Sequence, residues 1–373
     1  MKTEAYLAGI GYYLPSPVST EKYLEIDKKM REFNGQSEEI IKLARKFVLN
    51  TGIKQRHTLH PAFLDEPGEE NIEDIFTEED FDPPLWRRLK FFKDHAPKLA
   101  LKAAQKAIAD WGGSVDDISH IITTSTSGWM EPGLACSLIE ELGLGEDTQK
   151  AELFFNGCFC GATCLRLARD TVRAGESKAV LVVAMEMAMT HYDPVDTHIS
   201  TLVASSLFGD GAAAVVVAPE GKWKFEKAGM TVIPGTKDLL RFTPPITPDK
   251  HAYEIYLDRN VGKSLYNYFS NPDKGKKLLK KILDMAGGEF PALAVHPGGP
   301  NILENVLNAY TEIGFPPNAL DISFQTLESL GNLSSAAMLF VLANTLKDCQ
   351  SDKLATFAFG PGVTIEWGYY SKA

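Results

Sequence analysis

The sequence predicts an α/β protein of layered, buried sheets, built from two halves of similar fold. Three observations carry this. Short apolar runs alternate with segments of helical period, the pattern of sheets whose faces are covered by helices. Phe208-Gly209-Asp210-Gly211, followed by the small apolar run Ala212 to Ala218, is echoed by Phe359-Gly360-Pro361-Gly362 before Val363 to Tyr369. Cys158 heads a segment with Gly161, Ala162 and Thr163, and Gly331-Asn332-Leu333-Ser334-Ser335-Ala336-Ala337 repeats that small-residue pattern. A repeat of about 150 to 200 residues is domain-sized. It divides the chain into residues 1–220, carrying Cys158, and residues 221–373, carrying His296 and Asn332.

Ala5 to Gly11 reads as a first strand, and a polar helix follows around Glu38 to Leu49. Between Asp65 and Asp82 ten of eighteen residues are acidic and none is basic, which predicts a solvated surface loop or short helix. Pro97 is expected to start a helix, because proline is tolerated in a first turn; Ala100, Ala103, Ala104, Ala107, Ile108 and Trp111 then recur at helical spacing before Gly112. Strands are expected over Ile118 to Ser125 and Ala179 to Met185, with helices near Leu134 to Leu142 and from Cys158 to Ala174. After a Pro-rich linker come helices near Val261 to Phe269, Lys276 to Met285, after Pro300 and after Asn332. The matching strands are Ala292 to Val295, Leu354 to Phe359 and Val363 to Tyr369.

With 373 residues and 44% apolar content, the chain can bury a large core. A net charge of -11 argues against nucleic-acid binding, which needs a basic face. No stretch approaches 18 apolar residues and no signal-peptide core opens the chain, so no membrane partner and a cytoplasmic location are expected. Five cysteines, three of them (Cys158, Cys160, Cys164) within seven residues, read as reduced thiols.

Cys158, before a helix start, is where a nucleophilic thiol would stand, since the helix dipole lowers a thiol pKa. The expectation is alkylation of Cys158 ahead of Cys136 and Cys349. The segment fits equally a buried small hydrophobe. His296, in Val295-His296-Pro297-Gly298-Gly299-Pro300, is held rigidly after an apolar strand, whereas the other histidines, His198 among them, stand in polar or mixed contexts. Cys158, His296 and Asn332 together supply thioester chemistry: a nucleophile, an imidazole and an uncharged donor for an oxyanion.

This set resembles the type III polyketide synthases, the chalcone synthase-like members of the thiolase superfamily. The likeness rests on Gly157-Cys158-Phe159 with Thr163 to Ala168, Asp196-Thr197-His198, Leu207 to Ala214, His296 to Pro300, Gly331-Asn332 with Ser334-Ser335-Ala336, and Phe359 to Gly362 with Thr364. It is nearer the microbial or fungal members than the plant ones. The resemblance implies a thiolase-like five-layered αβαβα fold of two duplicated halves, a homodimer, and catalytic Cys158, His296 and Asn332. An acyl-CoA starter would load onto Cys158, and malonyl-CoA would decarboxylate and condense with it, with release as a pyrone, resorcinol or related polyketide. No metal and no organic cofactor are implied, CoA thioesters being substrates. Phe208, as gatekeeper, with Thr126, Ser334, Glu186 and Phe155 falls on substrate-binding positions, and Lys54 and Arg56 fall near the family's CoA entrance.

Glu131 replaces a methionine that crosses the dimer in plant members, and a carboxylate is costly to bury there unless paired or protonated. Residues 240–260 match the plant pattern poorly. Three other readings compete. A β-ketoacyl synthase III-like enzyme would perform one condensation. A papain-like hydrolase shares the Cys, His, Asn order but lacks the local signature here. A non-catalytic thiolase-fold protein would leave Cys158 unreactive. A metal site on the three clustered cysteines lacks ligand spacing.

Overall fold

The computed structural model describes residues 3–66, 68, 72–175, 178–245, 247, 250–347 and 349–373. Nine strands form one mixed sheet. Its first half is β1 (Tyr6–Tyr13), β4 (Ile118–Thr124), β5 (Gln149–Glu152), β6 (Ala179–Met187) and β7 (Asp210–Ala218). Its second half is β8 (Trp223–Val232), β11 (Ala292–Val295), β12 (Lys353–Gly360) and β13 (Thr364–Lys372). The strand order is β11-β12-β13-β8-β1-β7-β6-β4-β5. Away from the β1–β8 seam, each half runs antiparallel, antiparallel, then parallel: β1–β7–β6–β4 on one side, β8–β13–β12–β11 on the other. The repeated register is the structural form of the internal echo. The pairs Tyr6–Lys224 and Leu7–Trp223 stitch the halves into one hydrogen-bonded sheet.

Three apolar cores separate five layers. The outer N-terminal core sets α3 (Leu85–Trp111) and α4 (Leu134–Leu142) on the sheet, with α1 (Thr20–Phe33) and α2 (Glu38–Asn50) beside them. The central core holds α5 (Cys160–Ala174) and α11 (Ser334–Lys347) between the two halves. The outer C-terminal core is made by α7 (Val261–Phe269), α8 (Gly275–Met285) and α9 (Pro300–Thr311), with α10 (Asp321–Leu330) bridging to the centre. In β6, Leu181, Val183 and Met185 face the outer core while Val180, Val182 and Ala184 face the central one. Both faces are dry, so the strand reads as an unbroken apolar run.

Two sequence expectations are corrected here. Pro97 lies inside α3, which begins twelve residues earlier, at Leu85. An interior proline costs about 3 kcal/mol, but the buried stripe Arg88, Phe91, Phe92, Ala96, Leu99 runs through it. Burying two phenylalanines at about 1.5–3 kcal/mol each offsets that cost. The acidic stretch is not simply a solvated face, although residues 67 and 69–71 of it fall outside the described residues. Asp74 is bonded to His60 Nδ1 (2.8 Å) and the Ala62 amide (2.7 Å), Asp82 faces Arg88 (3.3 Å) and His251 (2.8 Å), and Ile75, Phe76 and Phe81 are core residues.

Elements the sequence did not announce matter most for the site. β2 (Ser16–Ser19) pairs with β3 (Gln55–Thr58), α6 (Ile199–Leu207) leads into Phe208, and the short hairpin β9 (Leu240–Thr243) and β10 (Glu254–Leu257) lies across the active face. Among the described residues, no helix is long and apolar enough to cross a membrane.

α5 and α11 meet backbone to backbone. A Cβ on Gly161 would lie 2.3 Å from the Ser335 carbonyl oxygen. Gly161→Ala is therefore expected to lower stability by about 1–3 kcal/mol through overpacking, read as a fall in urea midpoint at unchanged m. An unchanged midpoint would mean that the two helices are not in the contact described.

Candidate functional site

After β5 the chain turns sharply, with Phe155 at φ 56° and Gly157 at φ 96°. A side chain on Gly157 would collide with Pro361 Cδ at 2.3 Å, and a Cβ on Gly360 would come within 3.1 Å of the Cys158 amide nitrogen. The Phe-Gly-Pro-Gly motif is thus the brace behind the Cys158 loop. Cys158 follows, and α5 begins only at Cys160, with Phe159 as its N-cap residue. The thiol stands before the helix rather than in its first turn, which corrects the expected helix start.

Asn332 is fixed by backbone and side chain alike. Its amide N–H donates to the Leu207 carbonyl (2.8 Å), and its own carbonyl accepts from Gly209 (3.2 Å), pairing it with Phe208. Its Oδ1 accepts from the Ser334 amide (2.8 Å), and its Nδ2 donates to the Gly298 carbonyl (3.3 Å). Ser334, at φ 46°, turns its hydroxyl to Thr126 Oγ1 (2.7 Å) and to Cys158 Sγ (3.4 Å). His296 is buried, its amide bonded to Phe357 of β12 (2.8 Å) and its carbonyl to the Gly298 amide (3.0 Å), while Nδ1 has no partner. A continuous line of contacts, Gly298 to Asn332 to Ser334 to Cys158, joins the histidine loop to the thiol.

Glu186, at the end of β6, ties the other side. Its buried carboxylate accepts from the Thr126 amide (3.0 Å) and hydroxyl (3.0 Å), the Ser335 amide (3.2 Å), and the hydroxyls of Ser125, Ser127 and Ser335. It positions Thr126 and the start of α11 and does not line the cavity, so its expected place as a substrate contact is corrected. Thr126 gives its one hydroxyl proton to Glu186. Ser334 must then donate to Thr126, which leaves Cys158 S–H as the donor to Ser334.

Electrostatics agree with a neutral resting site. Burial, with the Glu186 charge behind it, pushes the Cys158 thiol up to about 11, and burial pulls His296 down to about 3. The lowered thiol pKa expected from the helix start is not found, because desolvation outweighs a dipole the sulfur meets from outside the helix.

Cys158, Thr126, Phe208 and Ser334 share a cavity of about 50 Å³ whose far wall is Leu240, Phe242, Ile255 and His191. Phe155, 40% exposed, does not line it but backs this wall, packing on Phe242 and Tyr253. The wall was missed because the hairpin strands are four residues long; the alternation of half-buried Leu240 and Phe242 with exposed Arg241 and Thr243 was its one signal. A second, open groove of about 540 Å³ reaches from Phe47 and Arg259 to Leu207, Gly298 and Gly299. Leu207 lines the groove, and its chain neighbour Phe208 lines the cavity.

The two basic residues part company. Arg56 is fully buried, its guanidinium donating to the carbonyls of Ser205, Ser206 and Phe208 and lying 3.9 Å over the Tyr23 ring. It supports the Phe208 backbone and cannot reach CoA, a correction. Lys54 is 78% exposed in its side chain and paired with Glu328. His198 is an exposed N-cap residue of α6, and Glu131 is exposed on this chain. Among the described residues no group of three His, Cys, Asp or Glu is placed to hold a metal.

A family model described as the N-terminal domain of chalcone and stilbene synthases matches residues 1–221, and their C-terminal domain model matches 251–368. Two solved structures share the fold. PKS-I of the brown alga Ectocarpus siliculosus aligns at TM-score 0.89 and 24% identity, over 100% of this chain and 99% of that one. The C-terminal type III polyketide synthase domain of Steely1, a type I/III hybrid from Dictyostelium, aligns at TM-score 0.84 and 24% identity over 99% of each.

A thiol held neutral by burial is alkylated only through its small thiolate fraction. In the ligand-free protein, iodoacetamide modification of Cys158 should rise about tenfold per pH unit from 7 to 9 without levelling. A plateau already reached at pH 7 would show a thiolate stabilised in the resting site.

Proposed function

The chain belongs to the chalcone and stilbene synthase family and is a type III polyketide synthase, a condensing acyltransferase, and from that premise we propose how its residues divide the work. Cys158 attacks the carbonyl of an acyl-CoA starter, its proton passes to His296 and on to the departing sulfur, and CoA leaves as the free thiol. Malonyl-CoA then enters by the groove and presents its carboxylate beside Phe208. The apolar wall disfavours the charged carboxylate, and CO₂ departs. The resulting enolate oxygen is held by the His296 imidazole and by the second amide hydrogen of Asn332, the first being committed to Gly298. The carbanion attacks the Cys158 thioester, a carbon–carbon bond forms, and the sulfur leaves. The observation that carries this reading is the contact line from the histidine loop through Asn332 and Ser334 to the thiol.

Decarboxylation supplies the driving force, so the reaction needs no resident metal or organic cofactor. The small cavity supports short acyl starters and few extensions, with release as a pyrone, resorcinol or related polyketide. The enzyme acts in the cytosol, in keeping with five free thiols, and works as a homodimer. Each is a separate expectation: sedimentation showing only monomer would remove the last without touching the chemistry.

Mass spectrometry after exposure to acyl-CoAs and labelled malonyl-CoA tests the proposal. An acyl adduct on Cys158 with multiply labelled products is expected; a single condensation would point to a synthase III-like enzyme, and no adduct would overturn the reading. Cys158→Gln should keep malonyl-CoA decarboxylation and lose chain growth, whereas Asn332→Ala should slow decarboxylation by about 10²–10³. Phe242→Ala should lengthen accepted starters, checked by the product profile of a fatty acyl-CoA series; an unchanged profile would mean that Phe242 does not set the cavity's depth.

A further inference from the structure

The nine-stranded sheet is notched at the seam between its halves. β8 begins at Trp223, opposite Leu7, and runs back past Tyr6 to Ala5, whose carbonyl accepts from the Phe225 amide (2.8 Å). From Ala8 to Tyr13, β1 therefore has β7 on one edge and, among the described residues, no strand on the other. In an antiparallel ladder alternate residues turn both backbone groups to the same edge. Ile10 belongs to the outward set, because its N–H donates to Asp110 Oδ2 (3.0 Å) and not to β7. Tyr12 is the next of that set, and the register between them is regular. The Tyr12 N–H and C=O and the Ile10 C=O thus point into the notch, and none of the three has a partner among the described residues.

The notch is a cavity of about 470 Å³, walled by the helices that cover the two faces of the sheet. On one face α3 lies directly on β1: a Cβ on Gly11 would come within 2.3 Å of the Ala107 amide nitrogen, and this contact brings Lys106 and Asp110 over the open edge. On the other face α11 presents Ala343, Leu346 and Lys347. An open edge is a template for pairing. With a helix on each side the slot is one strand thick, so it excludes a second sheet and admits a single extended segment. Charge selects the kind of segment. Lys106, Lys222 and Lys347 line the slot against one carboxylate, Asp110, which is tied to Lys222 (3.0 Å). Lys106 Nζ stands 5.4 Å from the centre of the Tyr13 ring, and Lys347 donates to the Tyr12 hydroxyl (2.8 Å). Neither has a carboxylate partner among the described residues, a local reversal in a chain of net charge -11.

We propose that the notch is a strand-addition site for another protein: an extended segment, in which acidic residues alternate with apolar ones, pairs with the open edge of β1. Its backbone takes up the Tyr12 N–H and C=O and the Ile10 C=O, which supplies affinity, and its alternate side chains supply specificity. On the α3 face acidic side chains meet Lys106, and on the α11 face apolar ones pack on Ala343 and Leu346. Asp110 keeps the Ile10 N–H and closes one end of the slot, which fixes where pairing can begin. The slot lies at the far end of α11 from Ser334, about 20 Å along a helix of 14 residues. It is separate from the thiol cavity, and the condensation chemistry does not depend on it.

The probe is a fluorescein-labelled, amidated hexapeptide of alternating glutamate and valine, titrated with the full-length protein and followed by fluorescence anisotropy. Saturable binding at micromolar protein is expected, with slower hydrogen exchange at the Tyr12 amide in the saturated complex. Two N-methylated forms of the peptide, one methylated on every valine and the other on every glutamate, separate strand pairing from charge attraction. Only one of the two sets faces β1, so one form loses binding by about tenfold or more and the other keeps it. Lys106→Glu combined with Lys347→Glu weakens the glutamate peptide by about tenfold or more. The same double variant takes up the corresponding lysine–valine peptide, which wild type refuses. Both lysines are exposed, so the double variant keeps the wild-type thermal midpoint; the methylated pair is read on wild type and does not depend on it. No saturable binding, equal effects of the two methylation patterns, or unchanged exchange at Tyr12 overturns the proposal.

Discussion

Everything in the site depends on how closely two helices meet. The starts of α5 and α11 come from different halves of the chain, and Gly161 lets them touch, with a carbonyl of Ser335 where a methyl group would otherwise be. The thiol precedes one helix, and Asn332 and Ser334 open the other. A separation larger by one methyl group would lengthen the 3.4 Å contact between Cys158 and Ser334 and break the link to the histidine loop. The repeated pattern of small residues at both starts is therefore a packing requirement before it is a catalytic one. The single sheet formed across β1 and β8 holds the halves in the register that this contact needs.

Around that contact the polar groups are supplied in surplus. Glu186 is a buried carboxylate, costly by itself, yet it accepts from four hydroxyls and two backbone amides drawn from two segments. Each charge-assisted bond contributes about 1.5–3 kcal/mol, enough together to offset desolvation and to lock the Ser125–Ser127 loop against α11. Arg56 does similar work behind Phe208, donating to the carbonyls of Ser206 and Phe208 and sharing that of Ser205 with the Tyr23 hydroxyl. Phe208, on an irregular segment between α6 and β7, is thereby given a fixed backbone.

How much of this the sequence shows follows from the range of the interactions. β6 and β7 are legible because both faces are dry and the composition says so. α4 and α7 end where local period and capping glycine or turn residues say they should. Cys158, His296 and Asn332 stand out because strand-to-helix turns with glycine and proline are written locally. Arg56 is not legible: its partners lie 149 to 152 residues away, and next to exposed Lys54 it reads as surface charge. Pro97 misleads because local propensity argues for a helix start, while the buried stripe that overrides it begins earlier. His191 hides in a mixed context, and only the hairpin folded over it, itself a weak signal, turns it into cavity wall.

The charge state of the site follows from the same geometry. Hydroxyl protons run one way, from Ser334 to Thr126 to Glu186, so the thiol donates into that line and the neutral form is the one the hydrogen bonds favour. A neutral imidazole and a neutral thiol cost little to bury, whereas either ion alone would cost several kcal/mol. On the division of roles proposed above, charge arises as a pair, the proton leaving Cys158 as His296 gains it, so that the net charge of the two groups together does not change. That constraint places the useful ionisation at the moment an acyl carbonyl occupies the site and can take up the negative charge. The same constraint suits the role proposed for Asn332, since an amide donates to an oxyanion without adding a charge that the resting site would have to hold.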